Sequence, residues 1–242
     1  MQQIIEVVHG IPRHPLYRMN EPLNFSMGVD EHLAIVGPNG GGKSLLVDII
    51  TGRWPLLQNE VKYNFGSSTS ELICDNIKCI TFRDSYGDAE SNRYYQQRWN
   101  SQDMEITPLV RELLPDCSES EFKVKLFDLF GIAPLLDKHI VLLSSGELRK
   151  FQLAKTLLTN PRVLIMDNPF IGLDEKTRDL LKDLLDRLVT ITSLQIILLL
   201  SKTDDIPSFI THVVPVENRI CGQKVPVATY RSCRQPGESR SH

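Results

Sequence analysis

The sequence predicts an α/β domain built on a mostly parallel sheet, and three features support this fold class. Residues 31–37, EHLAIVG, have the pattern of a strand that enters a glycine-rich turn, and a helix, KSLLVDIITG, follows at 43–52. Two further apolar runs, VLIMD at 163–167 and SLQIILLLS at 193–201, are separated by a second helical pattern. Strands that alternate with helices along a chain predict a parallel sheet with right-handed crossovers.

The second helical pattern, EKTRDLLKDLLDRL, has leucines at 180, 181, 184, 185 and 188. We expect all of them on one helical face that packs against the sheet. From about residue 84 to 107 the chain is instead polar and aromatic, without a period. The patterns TPLVRELL and SEFKVKLFDLFG then predict helices, so we expect an inserted helical subdomain at about 86–158.

The composition of the 242 residues is that of one globular domain, with 41% hydrophobic and 24% charged residues and a net charge of −3. Because there is no basic surplus, we expect no nucleic-acid partner. The longest apolar run, Ile196 to Leu200, is far shorter than the roughly 20 residues of a membrane-spanning helix. No secretory signal precedes the first strand, so we expect a cytoplasmic location. The cysteines form no metal-ligand pair, and no zinc site is predicted.

Residues 37–44, GPNGGGKS, match the pattern G-x-x-x-x-G-K-[ST] at every fixed position, after a strand and before a helix. Glycines allow backbone N–H groups to surround phosphate oxygens, the lysine adds a charge, and the serine hydroxyl reaches Mg²⁺. We therefore predict binding of ATP with Mg²⁺. The predicted contacts are Gly37, Pro38, Asn39, Gly40, Gly41, Gly42, Lys43, Ser44 and Leu45.

Asp167 follows a buried strand, a position from which a carboxylate holds Mg²⁺ through its water shell. We predict Ser44 and Asp167 as the metal-binding side chains. The residue after Asp167 is Asn168. An amide is a poor base, so this position raises the question of whether the site hydrolyses ATP or only holds it.

Residues 142–174, LLSSGELRKFQLAKTLLTNPRVLIMDNPFIGLD, connect several of these features. Ser144 and Glu147 have the spacing of a capping box that opens a helix. Taken with the phosphate loop, this segment resembles the ATP-binding cassette (ABC) ATPases, a group of P-loop NTPases, and LSSGE at 143–147 looks like their signature motif. The GLD at 172–174 resembles their D-loop. The resemblance covers about residues 1–225, and we expect 226–242 to be a linker or a disordered tail.

The resemblance implies a head-to-tail pair of ABC domains with ATP at their interface. The predicted contacts to the partner's nucleotide are Ser144, Ser145, Gly146 and Glu147. The second domain is a second copy of the chain or a tandem domain, as in the cytoplasmic molybdenum-transport ATP-binding (photorepair-type) proteins that the wording SSGELRK most resembles. Two alternatives are a subunit of an ABC transporter that pairs with a membrane component, and a regulatory module that does not hydrolyse ATP.

Two expected catalytic side chains of the family are replaced. Asn168 stands at the position of the catalytic glutamate, and Ser201 at that of the switch histidine. Lys202 substitutes for the histidine only if the local turn redirects it. Whether the chain is an ATP hydrolase therefore stays open, although its family implies one.

Two further positions of the family pattern are altered. Asp84 or Ser85 stands at the position of the Q-loop glutamine. The side chain that stacks on adenine is ambiguous, with Arg13 suggested by spacing and Tyr17 as the other candidate.

Overall fold

The computed structural model describes residues 2–66, 68–82, 107–115, 120–201 and 206–234. Within these ranges the main sheet has seven strands, in the order β10-β8-β3-β7-β6-β5, with β9 paired to β8, and a second sheet has the order β2-β1-β4. The strands are β1 Gln3–Gly10, β2 Leu23–Gly28, β3 Leu33–Val36, β4 Lys62–Tyr63, β5 Ile77–Thr81, β6 Val163–Asp167, β7 Gln195–Leu200, β8 His212–Glu217, β9 Ile220–Cys221 and β10 Val225–Pro226.

The centre of the main sheet is parallel, as the sequence predicts, from β5 through β6, β7 and β3 to β8. Every residue of β3 and β7 is buried, because helices and the second sheet cover both faces. Among the described strands of this sheet, only β9 and β10, both paired to β8, run antiparallel. The α/β fold class is confirmed.

The helices among the described residues pack on the faces of this sheet. They are α1 Lys43–Ile50, α2 Ile73–Asn76, α3 Glu121–Phe130, α4 Ser145–Leu157, α5 Glu175–Ile191 and α6 Val227–Arg234. One core cluster joins α1 and the second sheet to one face of the main sheet. Another joins α3, α4 and α5 to the opposite face.

Helix α5 confirms the predicted leucine stripe with one correction. Its buried residues are Leu181, Leu184, Leu185 and Leu188, whereas Leu180 is 53% exposed. Adjacent helical residues are turned by about 100° from each other, so Leu180 lies beyond the edge of the buried face. No helix in the described ranges is both long and apolar enough to cross a membrane.

The predicted helical insertion is described only in part. SEFKVKLFDLFG forms α3, capped by Ser120 and ended by Gly131, while TPLVRELL contains only a short 3-10 helix, Val110–Leu113. The polar segment at 84–106 lies outside the described residues. The boundaries at 86 and 158 therefore remain a prediction.

The expected tail differs from the sequence prediction, because Val227–Arg234 is helix α6 rather than a linker. Tyr230 is 8% exposed and belongs to the core cluster on the α4 and α5 face. This short helix contributes few apolar residues, so its periodicity is too brief to be recognised in the sequence. Residues 235–242 lie outside the described part.

Candidate nucleotide-binding site

The phosphate loop connects β3 to α1 and adopts a backbone that requires glycine. Gly40 has φ +76 and Gly42, the N-cap of α1, has φ +108. Gly41 N–H donates to the carbonyl of Pro38 at 3.0 Å. Residues that carry a side chain rarely adopt positive φ values. The conformation of the loop therefore explains the glycines at positions 40 and 42.

The turn between β8 and β9 lies directly behind this loop. A Cβ on Gly37 would lie 1.8 Å from the carbonyl oxygen of Val216. The backbone N–H of Arg219 donates to the carbonyl of Gly41 at 2.8 Å. The phosphate loop is thus held from behind by backbone atoms that cannot move aside independently.

Lys43 is buried, and its ammonium group points back into the loop. Its Nζ donates to the carbonyl oxygens of Gly37 at 2.7 Å and Pro38 at 3.0 Å. Burial lowers the pKa of the Lys43 ammonium, and the nearby Asp167 carboxylate acts in the opposite direction. The positive charge is therefore fixed at the loop, where phosphate oxygens are expected to lie.

A cavity of about 370 Å³ opens in front of the loop. Its volume lies in the range of small-molecule sites. It brings together most of the predicted loop contacts with Asp167 and Asn168. The lining residues are Leu16, Tyr17, Asn39, Gly40, Gly42, Lys43, Ser44, Leu45, Asp167, Asn168 and Arg219.

Asn168 is turned toward its neighbour at the end of β6. Its side-chain amide donates to Oδ1 of Asp167 at 2.8 Å, and its backbone N–H donates to the carbonyl of Leu199 at 3.0 Å. Asn168 has φ +51, a left-handed conformation that asparagine tolerates better than most residues. The side chain that follows Asp167 is therefore an amide that donates to the Asp167 carboxylate. It provides no basic group at this position.

Tyr17, not Arg13, borders this cavity. The Tyr17 ring stacks on Trp54 with centroids 3.6 Å apart and an interplanar angle of 9°. Arg13 instead donates through Nε to the carbonyl of Leu56 at 3.0 Å and is not among the cavity-lining residues. Of the two candidates for adenine stacking, only Tyr17 is in a position to meet a base.

The other predicted catalytic position is not brought to the cavity. Ser201 directly follows β7, is exposed, and does not line the cavity. Its alternative, Lys202, and the Q-loop candidates Asp84 and Ser85 lie outside the described residues.

The capping box predicted from the spacing S-x-x-E is present at the start of α4. Ser144 Oγ accepts from the N–H of Glu147 at 3.2 Å, and Glu147 Oε2 accepts from the N–H of Ser144 at 2.8 Å. The pKa of Glu147 is lowered to about 2, because Lys138 and then the Ser144 N–H donate to its carboxylate. The helix start is therefore rigid and its carboxylate is ionised at neutral pH.

The start of α4 does not reach the cavity of its own chain. Ser144 and Ser145 are exposed, and Gly146 faces α5, since a Cβ there would lie 3.2 Å from Cγ2 of Thr177. Further along α4 the buried Arg149 guanidinium donates to the carbonyls of Pro169 and Ile171. The helix is thus tied to the segment that follows Asp167 and Asn168.

The residues that are present fit ATP with Mg²⁺. Nothing lies within 4 Å of the position that a Cβ on Gly40 would take, and the buried Lys43 supplies a cation. Ser44, which carries a hydroxyl, and Asp167, which carries a carboxylate, both line the cavity. Two oxygen ligands are enough for Mg²⁺, because this ion keeps several waters and takes phosphate oxygens.

The sequence model of the ABC transporter family matches residues 20–171. The chain belongs to this family. The matched segment contains the phosphate loop, the α4 start and Asp167.

Relatives among ABC proteins extend the match over most of the chain. An uncharacterized ABC transporter ATP-binding protein of Schizosaccharomyces pombe is 28% identical over 226 residues, which cover 90% of this chain and 45% of that protein. The ABC transporter ATP-binding protein ModF of Escherichia coli is 29% identical over 188 residues, 76% of this chain and 36% of that protein. The chain thus spans less than half the length of these two relatives.

Solved structures of ABC proteins share the fold. CbiO1 from Clostridium perfringens, part of an ABC transporter complex, has a TM-score of 0.75 at 18% identity, covering 96% of this chain and 92% of that one. An ATP-binding cassette of an ABC transporter in its ADP conformation has a TM-score of 0.69 at 16% identity, covering 93% and 92%. The fold is therefore that of an ABC ATP-binding domain.

Besides Leu16, the sequence analysis misses the cavity residue Arg219. The segment ENRI at 217–220, which contains Arg219, has no phosphate-binding pattern. Arg219 reaches the loop only because β8 pairs with β3. The Asn218–Arg219 turn between two strand patterns is the only signal, and it indicates a hairpin rather than a site.

We expect Gly37→Ala to destabilise the domain by about 3 kcal/mol, because its Cβ would overlap a carbonyl that β8 holds in place. The matched control is Gly40→Ala, which meets no atom within 4 Å but pays the cost of positive φ. This cost is about 1 kcal/mol. Thermal or urea unfolding measures both variants. Equal destabilisation by the two variants would contradict the packing of the loop against Val216.

Proposed function

We propose that this chain is the MgATP-binding module of a paired ABC ATPase, and that its own site holds ATP while hydrolysing it slowly or not at all. The observation that carries the proposal is the contrast at one cavity. The phosphate loop, the buried Lys43 and Asp167 form a complete binding set, whereas Asn168 offers an amide bonded to Asp167.

The chain contains the side chains that the binding of MgATP needs in this proposal. The loop N–H groups and Lys43 would hold the phosphates, and Ser44 and Asp167 would hold Mg²⁺, which adds positive charge beside the terminal phosphate. The ring of Tyr17, which Trp54 holds by stacking, borders the cavity and would contact the base. These contacts are made to bound nucleotide whether or not it reacts.

Hydrolysis requires a water that is oriented and deprotonated, and here the chain lacks the expected groups. The Asn168 amide can hydrogen-bond a water but cannot accept its proton. Ser201 has no imidazole to stabilise the terminal phosphate. Loss of a positioned general base typically lowers a rate by about 10²- to 10⁴-fold. Affinity for MgATP and turnover are therefore separable in this site.

The start of α4 supports the pairing part of the proposal. Ser144 and Ser145 are exposed at the N-terminus of a helix, which is a favourable place for a phosphate. They lie away from the cavity of their own chain. A role in completing the nucleotide site of a partner ABC domain would explain why the chain carries a signature-like motif here. We place this partner in the cytoplasm with the chain, as a second copy or as a tandem domain of the molybdenum-transport and photorepair type.

A second candidate function is that of a transporter subunit that couples ATP to import. It is favoured by relatives such as a zinc import ATP-binding protein ZnuC of Psychrobacter cryohalolentis, 29% identical over 176 residues. In this case the chain would copurify with a specific membrane component in stoichiometric amount. A module that regulates by binding ATP would instead pair only with another ABC domain.

We expect Ser145→Arg to leave the ATP affinity of the chain nearly intact but to block ATP-dependent pairing, because this side chain faces the partner's nucleotide. Sedimentation velocity with and without MgATP measures pairing, and calorimetry measures affinity. Thr190→Arg, which adds the same charge at an exposed position of α5, is the control and should pair normally. Normal pairing of Ser145→Arg would count against the head-to-tail arrangement.

We expect Asn168→Glu to raise steady-state phosphate release at saturating MgATP, because it introduces a base beside Asp167. Asn168→Gln is the matched control, since it pays the same left-handed backbone cost of about 1 kcal/mol without adding a base. Adding Ser201→His to Asn168→Glu should raise the rate further, because the two groups act together.

Lys43→Ala tests whether any release comes from this site, as it removes the loop cation and should abolish MgATP binding. Rapid release by the wild-type chain that Lys43→Ala eliminates would contradict the weak-hydrolysis proposal and would direct the search for a base to Asp174 and Glu175. An equal rise in Asn168→Gln and Asn168→Glu would exclude a base as the cause.

A further inference from the structure

Arg219 is a cation at the nucleotide cavity that no sequence motif assigns. It occupies the second position of the turn between β8 and β9, where Asn218 has φ +50 and Arg219 has φ +55. A left-handed arginine costs about 1 kcal/mol, so its surroundings must hold it in this conformation.

Backbone hydrogen bonds hold this turn on two sides. Arg219 N–H donates to the carbonyl of Gly41 at 2.8 Å, and its carbonyl accepts from the N–H of Asn20 at 2.8 Å. The Asn20 side chain also donates to the carbonyl of Asn218 at 2.7 Å. The turn therefore bridges the phosphate loop and the segment that carries Tyr17, which are the two walls of the cavity.

The Arg219 side chain starts at the N-terminus of α1. A Cβ on Gly42 would lie 3.1 Å from Cα and 3.4 Å from Cγ of Arg219. The side chain is exposed and borders the cavity together with Lys43 and Ser44. Within the described ranges, its guanidinium makes no hydrogen bond or ion pair, unlike that of Arg53, which pairs with Asp48.

The charges of the cavity favour an anionic ligand. Lys43 and Arg219 contribute two positive charges to its lining and Asp167 contributes one negative charge. A guanidinium presents several N–H donors in a plane, a geometry that matches phosphate oxygens. Because Arg219 lies against Gly41 and Gly42, it is at the phosphate end of the cavity, whereas the ring of Tyr17 is suited to the base.

We propose that Arg219 binds a phosphate oxygen of the nucleotide and thereby sets the affinity of the site for polyphosphate ligands. This role rests on the proposed nucleotide-binding function and adds a specific positioning residue to it. The left-handed turn and its two backbone anchors hold the backbone of Arg219 beside the loop, within reach of a phosphate for its side chain.

The test compares Arg219→Asn, which tolerates positive φ but lacks the charge, with Arg219→Lys, which keeps the charge. The control Asn218→Gly changes the same turn without touching the cavity. Calorimetry measures the Kd of ATP, GTP and inorganic tripolyphosphate, each with Mg²⁺. We expect Arg219→Asn to weaken all three ligands by about tenfold, because it removes one charge-assisted hydrogen bond. Arg219→Lys should restore most of this affinity, and Asn218→Gly should bind like the wild type.

The outcomes separate this inference from the proposed function. If Lys43→Ala loses binding but Arg219→Asn binds like the wild type, the role of Arg219 is wrong and the nucleotide site stands. Weakened ATP binding with unchanged tripolyphosphate binding would assign Arg219 to the base or ribose and would overturn the phosphate contact. A wild-type chain that binds none of the ligands would overturn both proposals. If Arg219→Asn unfolds, Arg219→Gly supplies the same comparison, because glycine adopts positive φ without strain.

Discussion

The parallel pairing of β3, β7 and β6 is the constraint on which the nucleotide site depends. Val36 lies beside Leu200, and Asp167 lies beside Leu199, so the three strands end at the same edge of the sheet. Helix α1 begins after β3, which places its N-terminus and the phosphate loop next to Asp167. Because β3 and β7 are buried throughout, this edge is rigid and keeps the phosphate loop next to Asp167.

The proposed function separates groups that bind a nucleotide from groups that react with it. In this proposal, binding depends on backbone N–H groups, Lys43 and Asp167, which the loop and β6 hold in place. Reaction would depend on the residue after Asp167, where the Asn168 amide donates to the carboxylate. Arg149 of α4 donates to the carbonyls just beyond this position, so the proposed partner surface at the start of α4 is tied to the segment that borders the cavity.

Local patterns in the sequence predict the parts of this molecule that local physics determines. The apolar runs of β3, β6 and β7, the GPNGGGKS loop and the Ser144–Glu147 capping box are all recognisable because each depends on neighbouring residues. Arg219 is not predictable in this way, since it reaches Gly41 only through the pairing of β8 with β3, far apart in sequence. Helix α6 is also missed, because tertiary burial of Tyr230 stabilises a helix whose own periodicity is short.

The most direct test of a site that holds ATP is the chemical identity of the nucleotide that stays bound. The chain is mixed with radiolabelled ATP and Mg²⁺, separated from free nucleotide by rapid gel filtration, and its bound nucleotide is identified by chromatography over time. An ordinary enzyme turns over roughly 10 times per second, so minutes of incubation are decisive. We predict that the bound nucleotide remains ATP throughout. Stoichiometric bound ADP within the first minute would contradict the account.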